Sequence, residues 1–229
     1  MITEKHQGIK IAGSDCASCH DPHVADKNVL GLIRSATHEP FTRRQCKSCH
    51  KMDGSTLTIA TVPDLCYKCH EKSKEWFKKP NVHAAMTGKH ACLSCHTPHA
   101  GPERPALKDH EEQVCLACHD PKPFQKKFKH AALEDGCTVC HNPHSSDQDK
   151  LLTENTAKLC QSCHDDLSQH AHKTSSDKKD SRTGKPLTCT GCHMPHGSDE
   201  KALLRAEPTR ELCFICHDPS MVPPPKKGQ

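Results

Sequence analysis

Apolar side chains are thin along this chain and come in ones and twos. Leu107, the pair Leu151 and Leu152, and the pair Leu203 and Leu204 stand in polar surroundings, while Leu65, Val114, Leu159 and Leu212 each stand directly ahead of a cysteine. This pattern predicts sparse secondary structure: short helices running into those cysteines, as at Asn155 to Cys160 and Pro208 to Cys213, and coil elsewhere. Pro22, Pro98, Pro121, Pro143, Pro195 and Pro219 each follow a histidine by two residues and disfavour helix there. The stretch SQHAHKTSSDKKDSRTGKP reads as a solvated loop and the end MVPPPKKGQ as a loose, polyproline-like tail. No run of 18 apolar residues exists, so no transmembrane segment is expected.

Composition sharpens the difficulty. Of 229 residues, 33% are hydrophobic, a figure that includes 18 cysteines, and 3% are aromatic. Burial on that scale does not offset the entropy of ordering the chain, so something other than side chains must fill the core. The cysteines indicate what. All of them fall in nine C-x-x-C-H motifs: CASCH, CKSCH, CYKCH, CLSCH, CLACH, CTVCH, CQSCH, CTGCH and CFICH. This motif is read as c-type haem attachment. Residues three apart lie side by side on one helical turn, which suits two thioethers to one macrocycle, and the next residue offers its imidazole to the iron. Zinc sites, disulfide frameworks and thioredoxin-like motifs account for paired cysteines but give nine adjacent histidines no role.

The expected cofactors are therefore nine haems c. Attachment falls to Cys16, Cys19, Cys46, Cys49, Cys66, Cys69, Cys92, Cys95, Cys115, Cys118, Cys137, Cys140, Cys160, Cys163, Cys189, Cys192, Cys213 and Cys216. The proximal ligands are His20, His50, His70, His96, His119, His141, His164, His193 and His217. The formal charge of +4 then needs correcting, because two propionates against one positive charge at each ferric haem add about −9 in all. An acidic holoprotein without a basic, aromatic-interleaved stripe gives nucleic-acid binding no support.

The motifs repeat in pairs. Cys92 and Cys115 are 23 residues apart, Cys137 and Cys160 are 23, and Cys189 and Cys213 are 24; Cys46 and Cys66 form a degenerate pair at 20, and Cys16 stands alone. The division this suggests is one haem-chain domain over 1–229, with repeat units near 1–36, 37–79, 80–125, 126–168 and 169–229. The fold class expected is mostly coil with short α-helices around a haem core, with little or no β-sheet.

Beyond the nine motif histidines, 21 histidines leave twelve. His144 follows His141 by three residues, a span of roughly 10 Å at most. That is too short to pass a macrocycle edge and reach the same iron from its other face, so His144 is expected to serve a different haem. His23, His99 and His196 share its x-P-H setting, and His38, His83, His130 and His170 or His172 stand upstream of each pair. Allocation by repeats gives His83 with His99, His130 with His144, and His172 with His196 to the last three pairs. His6, His23 and His38 then serve the first three haems, leaving His90, His110 and His170 spare. Met52 lies only two residues past its own His50, so the distal ligands are expected to be histidines throughout.

An upstream His, CxxCHxPH, a Leu-containing spacer and LCxxCH resemble the multihaem c-type cytochromes with doubled CXXCH motifs, well over Asn81 to Ser220 and partly over His38 to Lys72. CHKMD at His50 departs from the pattern and leaves the ligands of haems two and three open. The resemblance implies electron transfer as a periplasmic or extracellular conduit, a non-enzymatic role. Redox partner proteins, extracellular electron acceptors and other copies of itself in a filament are the expected partners. The opening MITEKHQGIK has no apolar secretion core, and since prokaryotic covalent haem attachment takes place outside the cytoplasm, a signal is expected to have been removed ahead of it. A reductase of a small nitrogen or sulfur oxyanion is the alternative; it calls for a five-coordinate haem, whereas every motif here ends in histidine.

Overall fold

Each C-x-x-C-H sequence closes one helical turn. In eight of the motifs the histidine N–H donates to the carbonyl of the first cysteine at 2.8–3.0 Å, at His20, His50, His70, His96, His141, His164, His193 and His217. The computed structural model describes residues 16–18, 20–21, 23, 33–34, 36–52, 58–165 and 179–221. His6, Cys19, His170, His172 and the tail from 222 lie outside them.

First and second motifs of a pair are carried differently. The first sit on 3₁₀ turns at Cys46–Ser48, Ala91–Ser94, Cys137–Val139 and Cys189–Gly191. The second fall in short α-helices: α2 at Asp64–Tyr67, α4 at Glu111–Leu116, α5 at Thr156–Gln161 and α6 at Glu211–Phe214. The Asn155 carboxamide oxygen accepts from the Lys158 N–H at 3.1 Å and caps α5. Glu111 and Glu112 occupy the first turn of α4, where acidic groups suit the helix dipole. Two further helices, α1 at Glu39–Thr42 and α3 at Ala84–Thr87, begin directly after His38 and His83.

Among the described residues, three antiparallel ladders of two residues each complete the regular structure. β1 (Ala36–Thr37) pairs with β3 (Ala100–Gly101), β2 (Asn81–Val82) with β5 (Ser145–Ser146), and β4 (Phe128–Lys129) with β6 (Gly197–Ser198). Each ladder ends in two histidines. The N–H groups of His38, His83 and His130 donate to the carbonyls of His99, His144 and His196 at 3.0, 2.9 and 3.2 Å. Glycine is required at two ladder positions: a Cβ on Gly101 would run into the Leu107 carbonyl of its own spacer, and one on Gly197 would lie 2.9 Å from the carbonyl oxygen of Pro123 in an earlier repeat. Lys79 with Asp147 at 2.9 Å, and Lys126 with Asp199 at 2.7 Å, flank the second and third ladders.

The spacers return to their own motifs. His96, His141 and His193 form isolated backbone bridges with Leu107, Leu152 and Leu204, each eleven residues on. In the degenerate pair His50 bridges Thr58, only eight residues on.

The described residues gather into two compact units. The first comprises 1–118 with 143–147 and holds the ladders β1–β3 and β2–β5; the second comprises 119–142 with 148–229 and holds β4–β6. Among the described residues the buried apolar side chains are Ile33, Ala36, Ala91 and Ala100, and the largest side chain below 2% exposure is Ser145. The fold is thus mostly coil with short helices and minimal sheet, and among the described residues side chains alone make no apolar core. One stretch is more ordered than its composition suggests. Lys179 bridges Pro186, and within that turn Asp180 is buried and held by Arg182, whose guanidinium also donates to the Gly191 carbonyl at 3.0 Å.

Candidate metal centres

The ladders and motif turns bring imidazoles together in twos. In the first unit the ring centres of His38 and His70 are 6.0 Å apart, those of His50 and His99 5.9 Å, and those of His96 and His144 6.2 Å. In the second unit His130 and His164 are 5.9 Å apart and His141 and His196 6.0 Å. Every pair joins one C-x-x-C-H histidine to one histidine outside the motifs. A metal–nitrogen bond of about 2 Å on each side of a single ion sets opposed imidazole centres roughly 6 Å apart, so this spacing fits a planar metallocycle clamped between two rings. Among the described residues no three His, Cys, Asp or Glu side chains converge as a metal site.

Hydrogen bonding fixes which nitrogen faces the gap. The Nδ1 atoms of His96, His141 and His193 lie 3.1, 2.9 and 2.8 Å from the carbonyl oxygens of Pro105, Lys150 and Ala202. A carbonyl only accepts, so Nδ1 carries the proton and Nε2 keeps its lone pair for a metal. His38 makes the same kind of contact to the Pro98 carbonyl at 3.2 Å. Burial is the first cause lowering the pKa of His38, His99, His130, His144 and His196. It keeps these rings in the neutral, metal-binding form.

The x-P-H rings have aromatic seats. Phe41 meets His99 at 5.2 Å, Trp76 lies nearly parallel on His144 at 4.2 Å and 14°, and Phe124 meets His196 at 4.9 Å. Nothing in the motif spacing indicates these three.

Thiols of successive motifs also adjoin. Cys49 interacts with Cys69, Cys66 with Cys92 and Cys95 with Cys118 in the first unit; Cys140 with Cys163, Cys160 with Cys189 and Cys192 with Cys216 follow in the second. Burial, and then the neighbouring thiol, pushes Cys66 and Cys160 up to about 11. The described cysteines form no disulfide.

Allocation by repeats does not match the rings. His99, His144 and His196 face His50, His96 and His141, the first motif of the preceding pair, instead of a site in their own pair. The reason is the ladder: an upstream histidine and the next repeat's x-P-H histidine are backbone neighbours, so their rings face the two motif histidines of one repeat, His70 and His50 at the first ladder and His164 and His141 at the third. His83 holds the ladder position beside His144, and its Nδ1 accepts from the Ala85 N–H at 3.1 Å. His23 is exposed and its N–H donates to Asp21. Of the histidines left spare, His110 lies 3.1 Å from Glu103, and His90 precedes the turn of the Cys92 motif.

A family profile described as the doubled CXXCH motif matches residues 38–75, 83–124, 130–169 and 181–222. A protein named multiheme cytochrome MtrA, from Shewanella baltica (strain OS185), is 30% identical over 230 residues, which is 90% of this chain and 53% of that protein. The chain spans about half the length of this relative.

Proposed function

The chain belongs to the doubled-CXXCH family of multihaem c-type cytochromes, and on that footing we propose that it is an electron conduit of nine covalently attached haems. The observation that carries this reading is the recurrence of motif and non-motif imidazoles across a gap of 5.9–6.2 Å. Haem, when bound, supplies the iron-centred one-electron chemistry.

The chain's own residues do the rest. Paired thiols on one helical turn attach the macrocycle, and the following histidine closes one face. At the five paired sites a non-motif histidine would hold the other, which would leave neither water nor substrate a coordination position there and favours a carrier over the oxyanion reductase. The adjoining thiols of successive motifs bring attachment edges together, the spacing that electron hopping needs.

In this reading the repeats near 1–36, 37–79, 80–125, 126–168 and 169–229 form one chain of sites. His6, His23, His83 and His172 would supply the remaining distal imidazoles, His83 by giving up the Ala85 N–H so that its ring carries its proton on Nδ1 and frees Nε2. A periplasmic or extracellular location, redox protein partners or extracellular acceptors, and assembly with other copies into a filament follow from the same reading. No helix among the described residues is long and apolar enough to cross a membrane.

The test is intact mass together with electron paramagnetic resonance of the oxidised holoprotein. Nine haem additions with only low-spin ferric signals are expected. Fewer additions would remove the nine-haem count, and a high-spin ferric centre at neutral pH would turn the assignment toward an enzyme.

A further inference from the structure

The three aromatic seats of the x-P-H rings are not alike. Phe41 and Phe124 are half-buried and meet His99 and His196 at tilts of 47° and 43°. Trp76 lies nearly parallel on His144 and keeps 38% of its surface exposed. Of the three it is the seat that joins solvent to a non-motif imidazole, and His144 in turn faces His96 at 6.2 Å.

The segment that carries Trp76 is built to hold it there. In the 3₁₀ stretch Glu71–Lys78, side chains three apart line up in rows. One row turns onto Tyr67, where Phe77 meets the ring edge-on at 6.2 Å and the Lys74 ammonium stands 5.4 Å from its centre. A second, Trp76 with Lys79 just past the stretch, rests on the residues flanking β5: Trp76 on His144, and Lys79 on Asp147 at 2.9 Å. The third row, Lys72, Glu75 and Lys78, is exposed next to it. From Lys68 to Lys79 the chain carries five lysines against two glutamates. That is a local excess of positive charge on a holoprotein that its propionates make acidic as a whole.

Resting on the haem reading above, we propose that Trp76 and the lysines around it form a docking surface for a one-electron carrier protein with an acidic face, which exchanges electrons with the His96 site through the Trp76–His144 stack. Tryptophan is among the residues on which protein interfaces concentrate their binding energy. Lysines steer an acidic partner toward it, while the acidic remainder of the holoprotein repels that partner. The patch therefore selects the place of docking as well as the class of partner. In the step one electron leaves the partner's reduced cofactor and reaches the ferric iron at the His96 site. The indole and imidazole rings return unchanged, and no bond or proton moves.

The test uses the holoprotein with flavodoxin, a small acidic flavin protein, as the probe. With both proteins fully reduced, flavodoxin should shift the Trp76 indole N–H resonance in NMR at low salt and leave it in place at high salt. When flavodoxin hydroquinone is mixed with the oxidised holoprotein, each flavin gives up one electron and becomes the semiquinone. The second-order rate of that reaction should fall about tenfold when Lys72→Glu and Lys78→Glu are combined. Trp76→Leu should slow the transfer at saturating flavodoxin, and Trp76→Phe should restore most of it. An indole resonance that flavodoxin does not move, or a rate indifferent to the lysines, overturns the proposal while leaving the haem reading intact. Dimerisation of the holoprotein that Lys72→Glu and Lys78→Glu abolish would overturn it too, by making a second copy the occupant. Mass spectrometry of the peptide spanning Cys92 to His96 separates these failures from that of the haem reading, since a peptide without haem would overturn both.

Discussion

The backbone N–H of His83 donates to the carbonyl oxygen of His144 at 2.9 Å, tying the upstream histidine of one repeat to the x-P-H histidine of the next. Because the same contact recurs at His38 with His99 and at His130 with His196, a two-residue ladder is the device that brings histidines from outside the motifs together two at a time.

Replacing His144 with Ala should open the site of His96, whose ring faces it at 6.2 Å. One high-spin ferric centre is expected by magnetic circular dichroism, mapped to Cys92 and Cys95, with the site at Cys137 and Cys140 still low-spin. The opposite mapping would refute the ring geometry.

Trp76 covers the His144 ring at 4.2 Å and is the chain's single tryptophan. A Trp76→Leu variant should lose about 0.5–1.5 kcal/mol of ring contact and allow His144 to rotate. The g-values of one low-spin signal should broaden or move. Trp76→Phe should recover most of the original spectrum; a spectrum unaffected by Leu would reduce Trp76 to surface packing.

Gly101→Ala places a methyl against the Leu107 carbonyl, and overpacking of this kind costs about 1–3 kcal/mol. Since β1 and β3 carry both His38 and His99, the loss should appear at two sites together, those of His70 and His50. Thermal melting monitored in the Soret band is the measurement, and weakening confined to one site would count against the ladder as a shared support.

Asp180 is held down to about 2, against an ordinary 3.8, chiefly by the Arg182 guanidinium. Its stabilising contribution is complete above the unfolded value near 3.8 and disappears as pH falls toward 2. Hydrogen exchange at Cys189–Cys192, whose turn Arg182 also holds through Gly191, should accelerate across that window. In Asp180→Asn the acceleration should already be present at neutral pH and vary little with acid.

Much of the architecture was legible because it is local. Nine motifs, their pairing, the capped helix after Asn155 and the absence of an apolar core follow from spacing and composition. The separation of His144 from the site of His141 followed from reach alone. The ladders were not legible: Asn81–Val82 with Ser145–Ser146 has no β-branched alternation and joins distant segments, so no periodicity betrays it. With the ladders hidden, allocation by repeat number places His99, His144 and His196 one pair too late. The small residues directly after His99, His144 and His196 were the available signal. The order at Asp180 was masked by the charged composition around it.

The register of the ladders also sets an order of maturation. In the haem reading the His50, His96 and His141 sites each take their second imidazole from a repeat made later, so in a chain delivered N-terminus first the His96 site stays open on one side until His144 has emerged. A chain halted after Asn142 should carry an open, ligand-accessible centre at Cys92 and Cys95, detectable by carbon monoxide binding, and one extended through Asp147 should not.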